Sequence, residues 1–528
     1  MGFVPGTLTV MTDRILLIPL DDRTCTSRLP VHLGAVAGRT VLTPPLGWIG
    51  NLTRRAEREA LGAWLIQAAH DAEAVVLALD TLAYGGLVGS RQSREPPQAV
   101  TERLLCLWAL REANPTVRIA GFITIPRLSA TAAPEEEAPY WPQYGEAIAR
   151  YSRLVHASRL AGSAEATDLM HHAQAAIPAE ILADYLAGRQ RNLAINRQMI
   201  EWAAAGLFDL LYLTVDDSAD LGLNVLERDE LALLVADRQL GDRVLIYPGA
   251  DEVACSLLSR VLLEKAAFQP AFFPVYAHEY GPQAVTMYEG LPLQETVRLH
   301  MAAAGVRLAP KPETADCQLF IHGPEKTGGD FWLDLDLPED RRDVPEWFVQ
   351  GIATALQMGS PVAIADVAWA NAAHPAFVQR LFDTCPVRNL LAFAGWNTAG
   401  NTLGTVFAHA ALRLLALEQG GDLAAQERAQ QIALFERFAE DWLYMAVERP
   451  AAASRPGPPD FETLSRQMAV RSESCYLRHW QGNVVTRVDA GGIPHYWRLG
   501  AFRRTLPTFP WARLFDVDLA ADFDLEAT

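Results

Sequence analysis

One repeated pattern constrains this 528-residue chain more than any other. Short apolar, β-branched runs stop abruptly at polar or acidic residues, and a helical pattern follows nearly every one. Runs that are apolar on both faces read as buried parallel strands, and strands alternating with helices read as parallel α/β architecture. RILLIPLDDR ends on Asp21, Asp22 and Arg23. The run AEAVVLALDTLAYGGL stops at Asp80 and turns at Tyr84, Gly85 and Gly86, with Arg91 following. VRIAGFITIPR ends near Thr124, with Arg127 just beyond, and LLYLTVDDSADLGLN stops at Asp216 and Asp217. DRVLIYPGADEV closes on Asp251 and Glu252, SPVAIADVAWAN on Asp366, and NLLAFAGWNTAGNTLGT on Trp396, Asn397 and Asn401.

The chain carries roughly ten such strand candidates. Their polar ends all fall on the C-terminal side, where a (β/α)8 barrel and a doubly wound sheet both place their active sites. The expected fold class is therefore α/β, either (β/α)8-barrel-like or doubly wound, with a helical C-terminal region. The expected division is an α/β body over 1–290, a continuing or second α/β unit over 291–400, and a helical and irregular region over 401–528. The Pro- and Glu-rich segment 131–150 reads as a long loop or lid. The aromatic-rich tail beyond about residue 459 reads as packing over the body.

Composition narrows the function by exclusion. A net charge of −18, from 45 basic and 63 acidic residues with no basic run, argues against nucleic-acid and membrane partners. The six cysteines are scattered without a CxxC pair, which points to free thiols in a reducing compartment rather than a zinc ribbon or disulfide framework. No apolar run approaches the roughly 20 residues of a membrane span. No basic region precedes the N-terminal apolar stretch, so a cytoplasmic chain without a signal peptide is expected, with Met11 as an alternative start. Walker A, GxGxxG and GxSxG patterns are missing, and no cofactor is expected.

The carboxylates at the strand ends carry the chemistry. Two neighbouring acids in unlike environments acquire separated pKa values, which suits one to donate a proton while the other stays charged. Asp216 and Asp217 are the candidate catalytic pair, although either is also suited to cap the following helix. Asp21, Asp22, Asp80, Asp251, Glu252 and Asp366 occupy the same type of position and, with Tyr84, Asn397 and Asn401, are candidate substrate-binding residues. Arg23, Arg91 and Arg127 would balance the charge or hold a substrate carboxylate. Trp396 would stack on a sugar ring. His278 and His322 lie in no spaced metal motif, so a metal-dependent hydrolase built on them with Asp216 is the second reading. A non-catalytic sugar or metabolite receptor is the third.

Together PLDDRT, ALDTLAYGGLVGSR, DDSADLGLN, YPGADEV, ADVAWANAA and GWNTAGNTLGT resemble a bacterial family known only as a domain of unknown function. Thr24 stands where that pattern usually has Pro, and Ala78 where it usually has Ser. Neither departure removes a charged group. More loosely, FDLLYLTVDDSA is similar to a strand of β-N-acetylglucosaminidase barrels that use substrate-assisted hydrolysis. That similarity implies that Asp216 orients the 2-acetamido group and Asp217 protonates the leaving oxygen, while Trp396 and Asn397 hold the sugar. The expected function is thus a glycoside hydrolase-like carbohydrate-active enzyme acting on a small-molecule or carbohydrate substrate, of unspecified oligomeric state.

Overall fold

The computed structural model describes residues 14–128, 134–216, 220–332, 344–488 and 491–528. It is a mixed α/β protein containing two parallel sheets. The first has six strands, β1 (Arg14–Ile18), β2 (Thr40–Leu42), β3 (Ala74–Ala78), β4 (Arg118–Ile125), β5 (Leu210–Val215) and β6 (Val244–Pro248), in the order β2-β1-β3-β4-β5-β6. The second contains β7 (Ala271–Tyr276), β8 (Arg307–Leu308) and β9 (Cys317–His322). A short pair, β10 (Gly329–Asp330) and β12 (Trp369–Ala370), stands apart from it, while β11 (Val362–Asp366) and β13 (Ala392–Ala394) complete it. Its order, β13-β11-β9-β7-β8, repeats the plan of the first: the second strand lies outside the first and later strands add on the other side. Among the described residues β2 and β6 do not pair with each other, and the strands are arranged as two doubly wound sheets. Each has a crossover beside its first strand, where loops at the carboxyl ends part to make a crevice.

The side-chain period of two builds three layers from these sheets. Ile15, Leu17, Val76, Phe122 and Tyr212 face inward to a core shared by both sheets. Their neighbours Leu16, Ile18, Val75, Leu77 and Leu213 face an outer helical layer. The shared core is filled by the helices Thr24–Val36, Val253–Lys265, Leu293–Ala304 and Ala399–Gln419. The last is buried on all sides from Ala399 to Ala416, which is why its sequence is apolar without a strong polar stripe. Ala363, Ala365, Ala392 and Ala394 line the inner face of the second sheet, and their small side chains let that helix lie close to it. Gly404 serves the same end, because a Cβ there would come 2.3 Å from Cγ of Glu252 on the neighbouring helix.

Several expectations change at this level. The second sheet begins at Ala271, ahead of the expected 290/291 boundary. The helix that opens at Ala399 is a core element. The C-terminal stretch also contains an antiparallel sheet of β14 (Val484–Val488), β15 (Pro494–Arg503) and β16 (Asp522–Ala527). Residues Trp141–Ala161 are a helix with Pro142 in its first turn, where a missing N–H costs nothing, so half of the expected loop over 131–150 is helical. Among the described residues, no helix is long and apolar enough to cross a membrane. All six cysteines are free thiols.

Candidate active site

The carboxyl ends of strands from both sheets surround a cavity of about 370 Å³. Arg23 enters after β1, Arg91 after β3, Arg127 after β4, Asp216 directly after β5 and Asp251 after β6. From the second half come Tyr288, Glu289, Asp330, Asn371, Asn397 and Asn401. This volume lies at the small end of the roughly 300–1,000 Å³ typical of ligand sites.

Arg23 ties two strand ends together. Its Nε and Nη2 donate to Asp21 at 3.0 and 2.7 Å, and its Nη1 and Nη2 donate to Asp251 at 3.0 and 2.6 Å. Asp21 also accepts from the Thr26 hydroxyl and the Arg23 backbone N–H, fixing the turn that starts the first helix. The guanidinium lies over the Trp511 ring at 4.7 Å, and the Trp511 indole N–H donates to Asp22 at 2.7 Å. Asp21 and Asp22 therefore position cavity-lining groups from behind.

A second ionic cluster holds Asp216. Arg91 donates to Asp216 at 2.5 Å and to Glu136 at 2.9 Å. Glu136 also accepts from Arg127 at 2.8 Å and from Arg513 at 2.5 Å. Burial opposes ionisation of Glu136, but the guanidiniums of Arg127, Arg91 and Arg513 outweigh it and hold the carboxyl well below the usual range. Its partner in the sequence-derived catalytic pair, Asp217, lies outside the described residues.

Four predicted site residues support the cavity without lining it. Asp80 is fully buried and accepts from the Thr124 backbone N–H and hydroxyl at 2.9 and 3.0 Å. Tyr84 packs beneath the Arg191 guanidinium, 5.0 Å from its ring. Glu252 turns into the core, where it accepts from the Ala250 backbone N–H at 3.1 Å and braces the turn bearing Asp251. Asp366 lies 2.8 Å from His322 Nδ1 and accepts from the His374 backbone N–H. Tyr84 belongs to the outer helical layer, and Asp366, next to the inward-facing Ala365, points to the outer face of the second sheet, so neither reaches the cavity.

Trp396 does not line this cavity: the residue is 9% exposed, and its indole N–H donates to the Thr405 hydroxyl in the core. The aromatic walls are instead Trp332, Trp511 and Phe515. His278 and His322 do not line the cavity with Asp216, and the Cys25 thiol is pushed well up by burial. Among the described residues, no group of three His, Cys, Asp or Glu side chains is disposed to hold a metal ion.

Sequence reasoning missed Glu136, Tyr288, Glu289, Asp330, Trp332, Arg449, Trp511 and Arg513 as site residues. The acidic stretch around Glu136 and the aromatic tail around Trp511 are unusual in composition, but nothing local marks Arg449. Backbone conformation supplies a further signal. Six described non-glycine residues adopt positive φ, and Tyr288 (66°), Asn371 (68°) and Asn397 (46°) all line this cavity. Ala512, at 49°, lies between Trp511 and Arg513. Such conformations cost about 1–3 kcal/mol each and cluster where function requires them.

Asn371 Oδ1 and Asn401 Oδ1 are buried and accept no hydrogen bond, although both residues line the cavity. Buried acceptors are rarely left without a donor, and a ligand hydroxyl would satisfy each of them.

Burial raises the Glu252 carboxyl from an ordinary 4.5 to about 8 and that of Asp80 from 3.8 to about 7. Between these limits the fold retains protons that the unfolded chain has released, so this stability is full at low pH and is lost as pH rises through the folded values. Glu252→Gln is expected to flatten the fall in unfolding free energy between about pH 5 and about pH 8, by up to a few kcal/mol. Urea titrations across that range check this. Parallel wild-type and variant curves would mean that Glu252 adds nothing to the slope.

The fold and cavity define an α/β protein with a charged cavity at the carboxyl ends of parallel strands. Residues 15–520 match the family model described as "Protein of unknown function (DUF4127)", and the chain belongs to that family. No curated protein and no solved structure matches it.

Proposed function

We propose that the chain is a glycoside hydrolase acting on a small, hydroxyl-rich carbohydrate. The observation that carries this reading is the pair of donor-less amide oxygens, on Asn371 and Asn401, in one cavity with Asp216. Amide acceptors beside carboxylates suit a ligand that presents many hydroxyl donors.

In the substrate-assisted form of this chemistry, the carbonyl oxygen of a 2-acetamido group attacks the anomeric carbon as the glycosidic bond breaks. The leaving oxygen takes a proton from an acid, and water then opens the cyclic intermediate. Asp216 accepts from Arg91, which suits it to orient and polarise the acetamido N–H rather than to donate a proton. Asp217, next in the chain, is assigned as the acid.

A panel of aryl glycosides, assayed with and without chelator, tests the proposal. Release of the aryl group is expected, with preference for 2-acetamido sugars, and Asp217→Asn is expected to abolish release while leaving binding intact. Full activity in that variant would remove Asp217 from its role. Binding without turnover would favour a receptor, and loss of activity with chelator would favour the metal-dependent reading.

A further inference from the structure

Five arginines line the cavity, and four of them are committed. Arg23 is paired with Asp21 and Asp251, Arg91 with Glu136 and Asp216, Arg127 with Glu136 and Glu137, and Arg513 with Glu136 and Asp516. Arg449 differs. It is 3% exposed, and among the described residues no carboxylate lies within ion-pair distance of it. Its Nε is buried without a partner, and the hydrogen bond it makes is a weak one, from Nη1 to the Met445 sulfur at 3.7 Å.

The nearby acids are already engaged. Asp330 accepts from the Tyr288 hydroxyl, the Asn371 amide and the Trp332 backbone N–H, and Asp516 is paired with Arg513. The Arg449 guanidinium lies 4.0 Å from the centre of the Trp332 ring and 4.8 Å from that of Phe515. Aromatic contacts of this kind hold the planar group in place while leaving its N–H edge available for a bidentate acceptor. Burial lowers its pKa to about 10, so it remains charged at neutral pH.

We propose that Arg449 receives an oxyanion, a carboxylate or phosphate group, carried by the sugar that occupies the cavity. A buried cation with no acid of its own among the described residues, facing a cavity between aromatic rings, is completed by an anionic ligand. The assignment rests on the carbohydrate reading of this cavity. It narrows the substrate class to acidic sugars or sugar phosphates.

Calorimetric titration of wild type, Arg449→Met and Arg449→Lys with glucuronate, glucose 6-phosphate and glucose tests it. Wild type is expected to bind at least one of the two anionic sugars about tenfold or more tighter than glucose. The anion preferred distinguishes carboxylate from phosphate. In Arg449→Met that preference is expected to vanish. Arg449→Lys is expected to restore part of it, through charge without the planar fork. Equal wild-type affinity for all three sugars, no measurable binding of either anion, or a preference that survives in Arg449→Met overturns the assignment. The wild-type comparison does not depend on either variant folding. A wild type that shows the preference but cleaves no aryl glycoside keeps the oxyanion receptor and removes the hydrolase reading. Cleavage of neutral aryl glycosides without any anion preference does the reverse.

Discussion

Asp216→Asn is expected to lower turnover of a cleaved aryl glycoside by about 10²–10⁴-fold, the range typical of a lost catalytic carboxylate. The substitution keeps shape and volume but removes the charge that accepts from Arg91 at 2.5 Å. Asp216 is 6% exposed and faces the cavity, so no other solvent-borne charge replaces it. An asparagine can still offer an oxygen to Arg91, but it binds the acetamido N–H more weakly and does not offset positive charge at the anomeric centre. The loss should fall on kcat, with KM changed much less, because the interaction strengthens towards the transition state. A variant that loses affinity and keeps kcat would make Asp216 a binding residue. Unchanged kinetics would remove it from the site.

Arg23→Met is expected to destabilise the protein by about 3–5 kcal/mol at neutral pH, the usual cost of removing one partner from a buried ion pair. Asp21 and Asp251 would then face each other, 2% and 5% exposed, without their shared guanidinium. The Trp511 ring would also lose the cation above it. Without Arg23, the burial that already raises Asp251 goes unopposed by its main counter-charge. The Asp251 carboxyl would be raised further in the fold, so the deficit should shrink at low pH and grow as pH rises. Chemical unfolding at two pH values measures it. Adding Asp251→Asn to the Arg23→Met background should recover part of the loss, as expected for residues sharing one interaction. A deficit below about 1 kcal/mol, the size of an exposed pair, would mean that water reaches these carboxylates.

Much of the fold is legible in local pattern. The apolar runs ending near Asp21, Asp80, Asp216, Asp251, Asp366 and Asn397 are all strands or strand ends, because alternation and burial act over a few residues. Whether a strand-end side chain enters the cavity is less legible. Asp216 and Asp251 do so, whereas Asp80 and Asp366 turn back to Thr124 and His322. A one-residue change in direction decides this, and neighbouring loops supply the partner that wins.

The sequence by itself determined the α/β class and the places where polar groups leave the strands, since both depend on short-range periodicity. Only the tertiary structure decided which of those groups meet. Arg23 and Asp251 are 228 positions apart, Glu136 and Arg513 are 377 apart, and Asp22 and Trp511 are 489 apart. It also exchanged Trp396 for Trp511 as an aromatic wall and placed Arg449 in the cavity without an acidic partner among the described residues. These outcomes follow from how two sheets pack on shared helices, and packing brings distant segments together without leaving a local mark in the chain.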